Sequence, residues 1–234
     1  TFRTIEFEQM EHKLFCKEGT DSGFYRFYKE YAMNFLKDLG INTDKLRFKD
    51  HEKLAHYAKE ACDIEYLFPN YDLSRHQEFS SVSQEYLDPE DNSKYVPYVV
   101  ESSVGCDRLT LAVLCDSYDE EVLGDGTVRE VMHFSPVLAP YKVAVLPLVK
   151  KYHSEYAKEL YRKLQHSFMC SYDETGSIGK RYRRSDISGT PYCITVDDET
   201  LNNHTVTLRD RDTMEQIKLD IDEVEEYIKS KINL

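Results

Sequence analysis

Beyond Leu138-Ala139-Pro140 the chain alternates short β-branched runs with segments of helical spacing, and that alternation leaves few ways to fold. The pattern predicts strand 142–146, helix 149–166, strand 168–171, helix 178–186, strands 192–196, 205–209 and 214–218, and helix 221–232. Strands joined through helices run parallel and those joined by turns run antiparallel. The expected architecture of 139–234 is therefore an α/β domain, a mixed five-stranded sheet flanked by helices on both faces.

Residues 1–138 read differently. A strand of mixed polarity is expected over 2–16 and an amphipathic helix over 24–39, closed by Gly40. A short strand at 46–48, a helix at 52–60 and a turn-rich stretch at 69–92 follow. A very apolar strand, 95–101, then leads through Ser103-Val104-Gly105 into a helical run, 108–114, and Asp125-Gly126 marks a hairpin.

Charge separates the two parts. The net charge is −13, with 15 basic against 27 acidic residues in 1–140 and 15 against 16 in 141–234. Such a balance argues against a protein that simply coats nucleic acid, and it leaves the second part as the one that tolerates a polyanion. The densest basic run, Lys180-Arg181-Tyr182-Arg183-Arg184, lies there; it reads either as a solvated helix face or as a nucleic-acid contact. Six cysteines without a CxxC pair or nearby histidine ligands point to reduced thiols in a cytoplasmic protein, with no zinc site expected and no metal ligands resolvable. No run of eighteen apolar residues occurs, so no membrane helix is expected.

Two segments resist explanation by packing. In Phe7-Glu8-Gln9-Met10-Glu11 acids and an amide alternate along a strand and line one face at period two. In Val100-Glu101-Ser102-Ser103-Val104-Gly105-Cys106-Asp107-Arg108 an acid ends an apolar strand and an arginine opens a helix. A buried Glu101 needs a cation, either an internal Arg or Lys or the ammonium of a substrate gripped between Glu11 and Glu101. Arg108, beside a glycine turn at a helix start, suits a phosphate.

These segments, together with Phe2-Arg3-Thr4, Leu46-Arg47-Phe48, His51 to Ala58, Tyr71-Asp72-Leu73-Ser74, Leu138-Ala139-Pro140, Ser177 to Tyr182 and Thr205 to Asp212, resemble in order the class II aminoacyl-tRNA synthetases, specifically the bacterial-type dimeric glycyl-tRNA synthetases. The resemblance implies a partial class II antiparallel-sheet core of α+β type over 1–138, from the return strand of motif 2 through motif 3, and an anticodon-binding domain over 139–234. It implies a glycine site at Phe7, Glu8, Gln9, Met10, Glu11, Glu101, Ser102, Ser103, Val104 and Gly105, with Ser103 walling off larger side chains. ATP, with its magnesium, would meet Phe2, Arg3, Thr4, Ile5, Glu6, Phe7, Gly105, Cys106, Asp107 and Arg108. Anticodon or backbone contacts would come from Lys180, Arg181, Arg183, Arg184, Arg209, Asp210 and Arg211.

The implied reaction activates glycine with ATP to glycyl-adenylate and transfers it to the 3′ end of glycine tRNA, in a homodimer. Motif 1, the start of motif 2 and a segment between Pro69 and Asn70 are absent relative to that pattern, and Ile5 stands where the family usually has Arg or Lys. Two other expectations compete: a synthetase-like accessory subunit that binds nucleic acid without catalysis, and a generic α/β protein that would leave Glu101 exposed.

Overall fold

The computed structural model describes residues 5–55, 58–68, 86–87, 94–95 and 98–232, with side chains described at 5–55, 58–68 and 100–232. The chain forms two compact units, Thr1–Cys115 and Asp116–Leu234.

In the first unit, β1 (Gln9–Cys16) pairs antiparallel with β6 (Tyr98–Gly105), while α1 (Asp21–Asp38) packs against β6. The remaining strands form separate pairs, β2 (Leu46–Asp50) with β3 (Cys62–Tyr66) and β4 (Tyr86–Leu87) with β5 (Lys94–Tyr95). Helix α2 (Cys106–Ser117) follows β6 without a loop. The helix expected over 52–60 does not form among the described residues there; the segment is the connection of the β2–β3 hairpin, whose register runs from Leu46 opposite Tyr66 to Asp50 opposite Cys62. The ladder ends at Asp50 and Cys62, which leaves Lys53, Ala55 and Glu60 in the connection between its strands.

The second unit holds the hairpin β7 (Tyr118–Val122) and β8 (Val128–Met132), turned at Gly126 with its positive φ of 81°. Its main sheet comprises β9 (Val143–Pro147), β10 (Cys170–Tyr172), β11 (Tyr192–Val196), β12 (Thr205–Asp210) and β13 (Gln216–Asp220), in spatial order β10-β9-β11-β12-β13. β9 is parallel to both β10 and β11, whereas β12 is antiparallel to β11 and β13, so the expected mixed five-stranded sheet is present.

Helices α3 (Lys150–Leu164), α4 (Ile178–Ile187) and α6 (Val224–Lys231) cover the sheet. Alternation along β9 divides the core: Val143 and Val145 join Ala157, Leu160, Val224 and Ile228 on the α3 and α6 side, while Ala144 and Leu146 meet Ile178 and Tyr182 of α4. A short helix not expected from the sequence, α5 (Asp198–Asn203), is nucleated by a capping box in which Asp197 accepts from the Glu199 and Thr200 amides and Thr200 accepts from Asp197 N–H.

The second unit includes the β7–β8 hairpin, which precedes the expected boundary at 138/139 and is joined to α4 by buried charge. Arg129 Nε donates to Asp186 Oδ2 at 2.8 Å, and its Nη1 meets Glu121 at 2.6 Å. Among the described residues no helix is long and apolar enough to cross a membrane.

Candidate functional site

The β1–β6 register decides which of the singled-out residues meet. Gln9 lies opposite Gly105, Glu11 opposite Ser103 and Lys13 opposite Glu101, so these residues share one face of the ribbon. Met10, His12 and Leu14, opposite Val104, Ser102 and Val100, share the other, where the His12 ring lies 4.9 Å from that of Tyr28 on α1. Strand alternation therefore separates Met10, Ser102 and Val104 from the polar face, and the ten residues expected together around glycine do not all converge.

On the polar face the two acids do converge, and on a cation. Lys13 Nζ stands 2.8 Å from Glu11 Oε2 and 3.5 Å from Glu101 Oε2, with all three side chains about two-fifths exposed. The hydrogen bond to Glu11, followed by the charge of Glu101, raises the Lys13 ammonium above its ordinary range. The other Glu11 oxygen accepts from Gln9 Nε2 at 2.8 Å, and the same amide nitrogen donates to Ser103 Oγ. Glu101 is thus not the buried acid that the preceding apolar run leads one to expect. The ribbon presents its polar face to solvent, and of the two cations left open by the sequence, the internal one is present.

The phosphate candidates sit at the end of the same ribbon. Cys106 N–H, the first amide of α2, donates to Glu8 O at 3.0 Å, which ties the helix start to the residues just before β1. Arg108 lies in that first turn, two residues beyond Cys106, and is exposed, as are Ile5, Glu6, Phe7 and Glu8. The expected ATP contacts Phe2, Arg3 and Thr4, and the Pro69–Asn70 junction, lie outside the described residues.

In the second unit the basic candidates divide sharply. Lys180, Arg183 and Arg184 are exposed on α4, although Arg184 is held by Asp173 and the Thr175 carbonyl. Arg181 is buried, donating to the carbonyls of Pro147, Leu148 and Gly176. Arg209 and Arg211, 5% and 2% exposed, are buried as well. Arg209 grips both oxygens of the fully buried Asp186, at 2.8 and 3.2 Å, and stacks on the Tyr182 ring. Arg211 donates to the Gly189 and Phe134 carbonyls and to Asp212. Asp210 caps its own turn by accepting from the Asp212 and Thr213 amides. Arg181, Arg209 and Arg211, expected at the tRNA, are instead buried, and the hydrogen bonds their guanidinium groups make go to partners inside the fold.

Sequence reasoning missed His133, whose Nδ1 lies 2.6 Å from Asp212 and whose Nε2 lies 3.1 Å from Glu121. Burial works against ionisation of Asp212, but the hydrogen bonds from Arg211 and His133 outweigh it and hold the carboxyl below its usual range. Alternation along β7 and β8 places Ser117, Asp119 and Glu121 on one face with His133, Val131 and Arg129, a signal that needs the hairpin register to be seen.

Residues 142–231 match the HGTP family described as an anticodon binding domain. Over 99% of its length the chain is 53% identical to the glycine--tRNA ligase of Clostridium acetobutylicum, 52% identical to that of Clostridium kluyveri and 50% identical to that of Geobacillus kaustophilus. It covers 53%, 53% and 54% of those proteins, so the chain spans about half the length of the curated relatives it matches. The chain is therefore similar, over nearly its whole length, to about half of each of these glycine--tRNA ligases, and the anticodon binding domain match lies in its second unit.

Proposed function

We propose that the full-length protein is a glycine–tRNA ligase, which activates glycine with ATP to glycyl-adenylate and passes the glycyl group to the 3′ end of glycine tRNA. The observation that carries this reading is the meeting of Glu11 and Glu101 around a positively charged nitrogen on one face of the ribbon. Two carboxylates offered to one ammonium are the recognition element for a primary amine. Gln9 fixes one Glu11 oxygen, and the other, bonded to Lys13 Nζ, is the one proposed to take the substrate amine. Ser103, opposite Glu11, is the proposed wall against larger side chains.

Glycine and alanine differ by one methyl group, and attraction to such a group discriminates by only about 1–3 kcal/mol, so the selection has to be steric. Arg108 and the first turn of α2 fit the charge of the ATP phosphates. Magnesium accompanying ATP would neutralise further phosphate charge. Catalysis of this kind needs positioning and electrostatic stabilisation rather than a protein nucleophile. Lys180, Arg183 and Arg184 on α4 form the exposed basic surface proposed for tRNA, and the active assembly proposed is a homodimer.

The test is glycine-dependent exchange of pyrophosphate into ATP by the full-length protein. Glu101→Gln is expected to lower kcat/KM for glycine by about 100-fold or more, with folding retained, because it removes a charge partner of the substrate ammonium. Full activity in that variant would take Glu101 out of the pocket. A parent protein without exchange would favour the non-catalytic accessory subunit.

A further inference from the structure

Lys13 is the one member of the polar face to which recognition of glycine assigns no task. Its position is nevertheless specific: directly across from Glu101, with its ammonium bonded to Glu11 Oε2 and within ion-pair distance of Glu101 Oε2. Those are the two oxygens that a substrate amine needs. We propose that Lys13 is a built-in competitor for the amine subsite, a specificity-determining side chain whose ammonium fills the place of the substrate ammonium and swings out when glycine enters. This rests on the glycine-activating reading of the ribbon given above.

The alternative task for such a lysine is to hold two like-charged carboxylates together. Three features of the ribbon make that unnecessary. The separation of Glu11 and Glu101 is set by backbone register, since both lie on adjacent, hydrogen-bonded strands. The orientation of Glu11 is fixed independently by Gln9, which in turn is anchored on Ser103. The lysine makes a close bond to one acid and a longer contact, 3.5 Å, to the other, so it leans on the pair rather than clamping it symmetrically.

Lys13 is also free to leave. Its side chain is 45% exposed on a flexible four-carbon stem, so water can solvate the displaced ammonium. Among the described residues the other polar side chains on this face of the register are Gln9 and Ser103, and neither supplies a third anion to hold it. Two ammonium groups cannot share the subsite, because each requires the same oxygens and the like charges repel. Lys13 and glycine therefore bind in mutually exclusive states.

Competition of this kind multiplies the apparent affinity for substrate by the fraction of pockets that Lys13 leaves vacant, so the apparent Kd rises by the inverse of that fraction. The lysine is displaced both in the bound ground state and in the transition state. Its removal is therefore a uniform binding effect, which moves KM rather than kcat.

The experiment is glycine-dependent pyrophosphate exchange by the full-length protein with Lys13→Met, which keeps the apolar stem and deletes the charge, and with Lys13→Arg, which retains a cation. Lys13→Met is expected to lower KM for glycine about threefold, the size of effect that exposed ion pairs produce, with kcat changing less than KM. Lys13→Arg is expected to return KM toward the parental value. Inhibition by methylamine, an ammonium without a carboxylate, should strengthen in Lys13→Met by the same factor.

An unchanged or raised KM in Lys13→Met overturns the competitor, as does loss of exchange in a variant whose denaturation midpoint matches the parent, since that would make Lys13 an organiser of the pocket. Lys13→Gln repeats the measurement if the methionine variant is less stable. Absence of exchange in the parent fails the glycine reading itself and takes this inference with it. Normal exchange in the parent with no KM response to Lys13 removes the competitor alone.

Discussion

Two of the clusters in which acids and bases converge among the described residues differ in what water can reach. On the β1–β6 ribbon Glu11, Lys13 and Glu101 are each about two-fifths exposed. In the second unit Arg129, Asp186 and Arg209 meet with Asp186 fully buried and both arginines nearly so. An exposed pair is easily exchanged for water or for another ion, whereas a buried charge that loses its partner is stranded. The first cluster is therefore suited to binding and releasing a charged ligand, and the second to holding β8, α4 and β12 in one arrangement.

The largest expected effect tests the buried half of that contrast. Asp186→Ala leaves the buried Arg209 without its carboxylate and Arg129 with Glu121 alone, and its expected cost is about 3–5 kcal/mol of unfolding free energy. Urea denaturation of the purified chain measures it. A loss below about 1 kcal/mol would mean that water reaches Arg129 and Arg209 and that the two clusters are alike.

The same contrast explains what could and could not be read from the sequence. The five-stranded sheet was legible because β9 and β11 are buried along their whole length, and burial on both faces writes a continuous apolar run into a strand. A cation beside Glu101 was expected because a buried acid at the end of an apolar run demands one, yet Glu101 is exposed and meets its cation at the surface. Which cation was not legible, since Lys13 becomes a neighbour of Glu101 only once the register is fixed. Arg209 and Arg211 were misjudged for a related reason: Arg-Asp-Arg-Asp looks like a solvated surface run, and the anion that buries Arg209 is 23 residues away, on a helix. Gln216, rather than Met214, opens β13 because Met214 takes a positive φ of 59° that a strand cannot continue through.

A second, intermediate effect comes from a partly covered acid. Glu174 accepts from Tyr172 at 2.7 Å and Ser154 at 3.0 Å, and pairs with Lys150 at 2.6 Å. The Lys150 bond first, then that of Tyr172, lowers its carboxyl from 4.5 to about 2. A carboxyl depressed by folding contributes stability that is fully present above its unfolded value and is lost as pH falls through the folded one. The stability of the parent should therefore decline between pH 4.5 and about 2, and Glu174→Gln should flatten that part of the curve while lowering stability at neutral pH. Parallel curves for parent and variant across this window, in urea denaturation at successive pH values, would contradict the assignment.

The smallest expected effect lies on the exposed ribbon and decides whether its charges are there for stability at all. In a double-mutant cycle of Glu11→Gln and Lys13→Met, the coupling free energy for unfolding should be small, as for other solvent-exposed ion pairs, and should shrink further as salt is added. A coupling of several kcal/mol that persists in high salt would place the ribbon in the same class as the Asp186 cluster, with Lys13 serving as mortar between the strands. A small, salt-sensitive value would show that the convergence of two acids on one ammonium adds little to stability, as the proposed amine subsite requires.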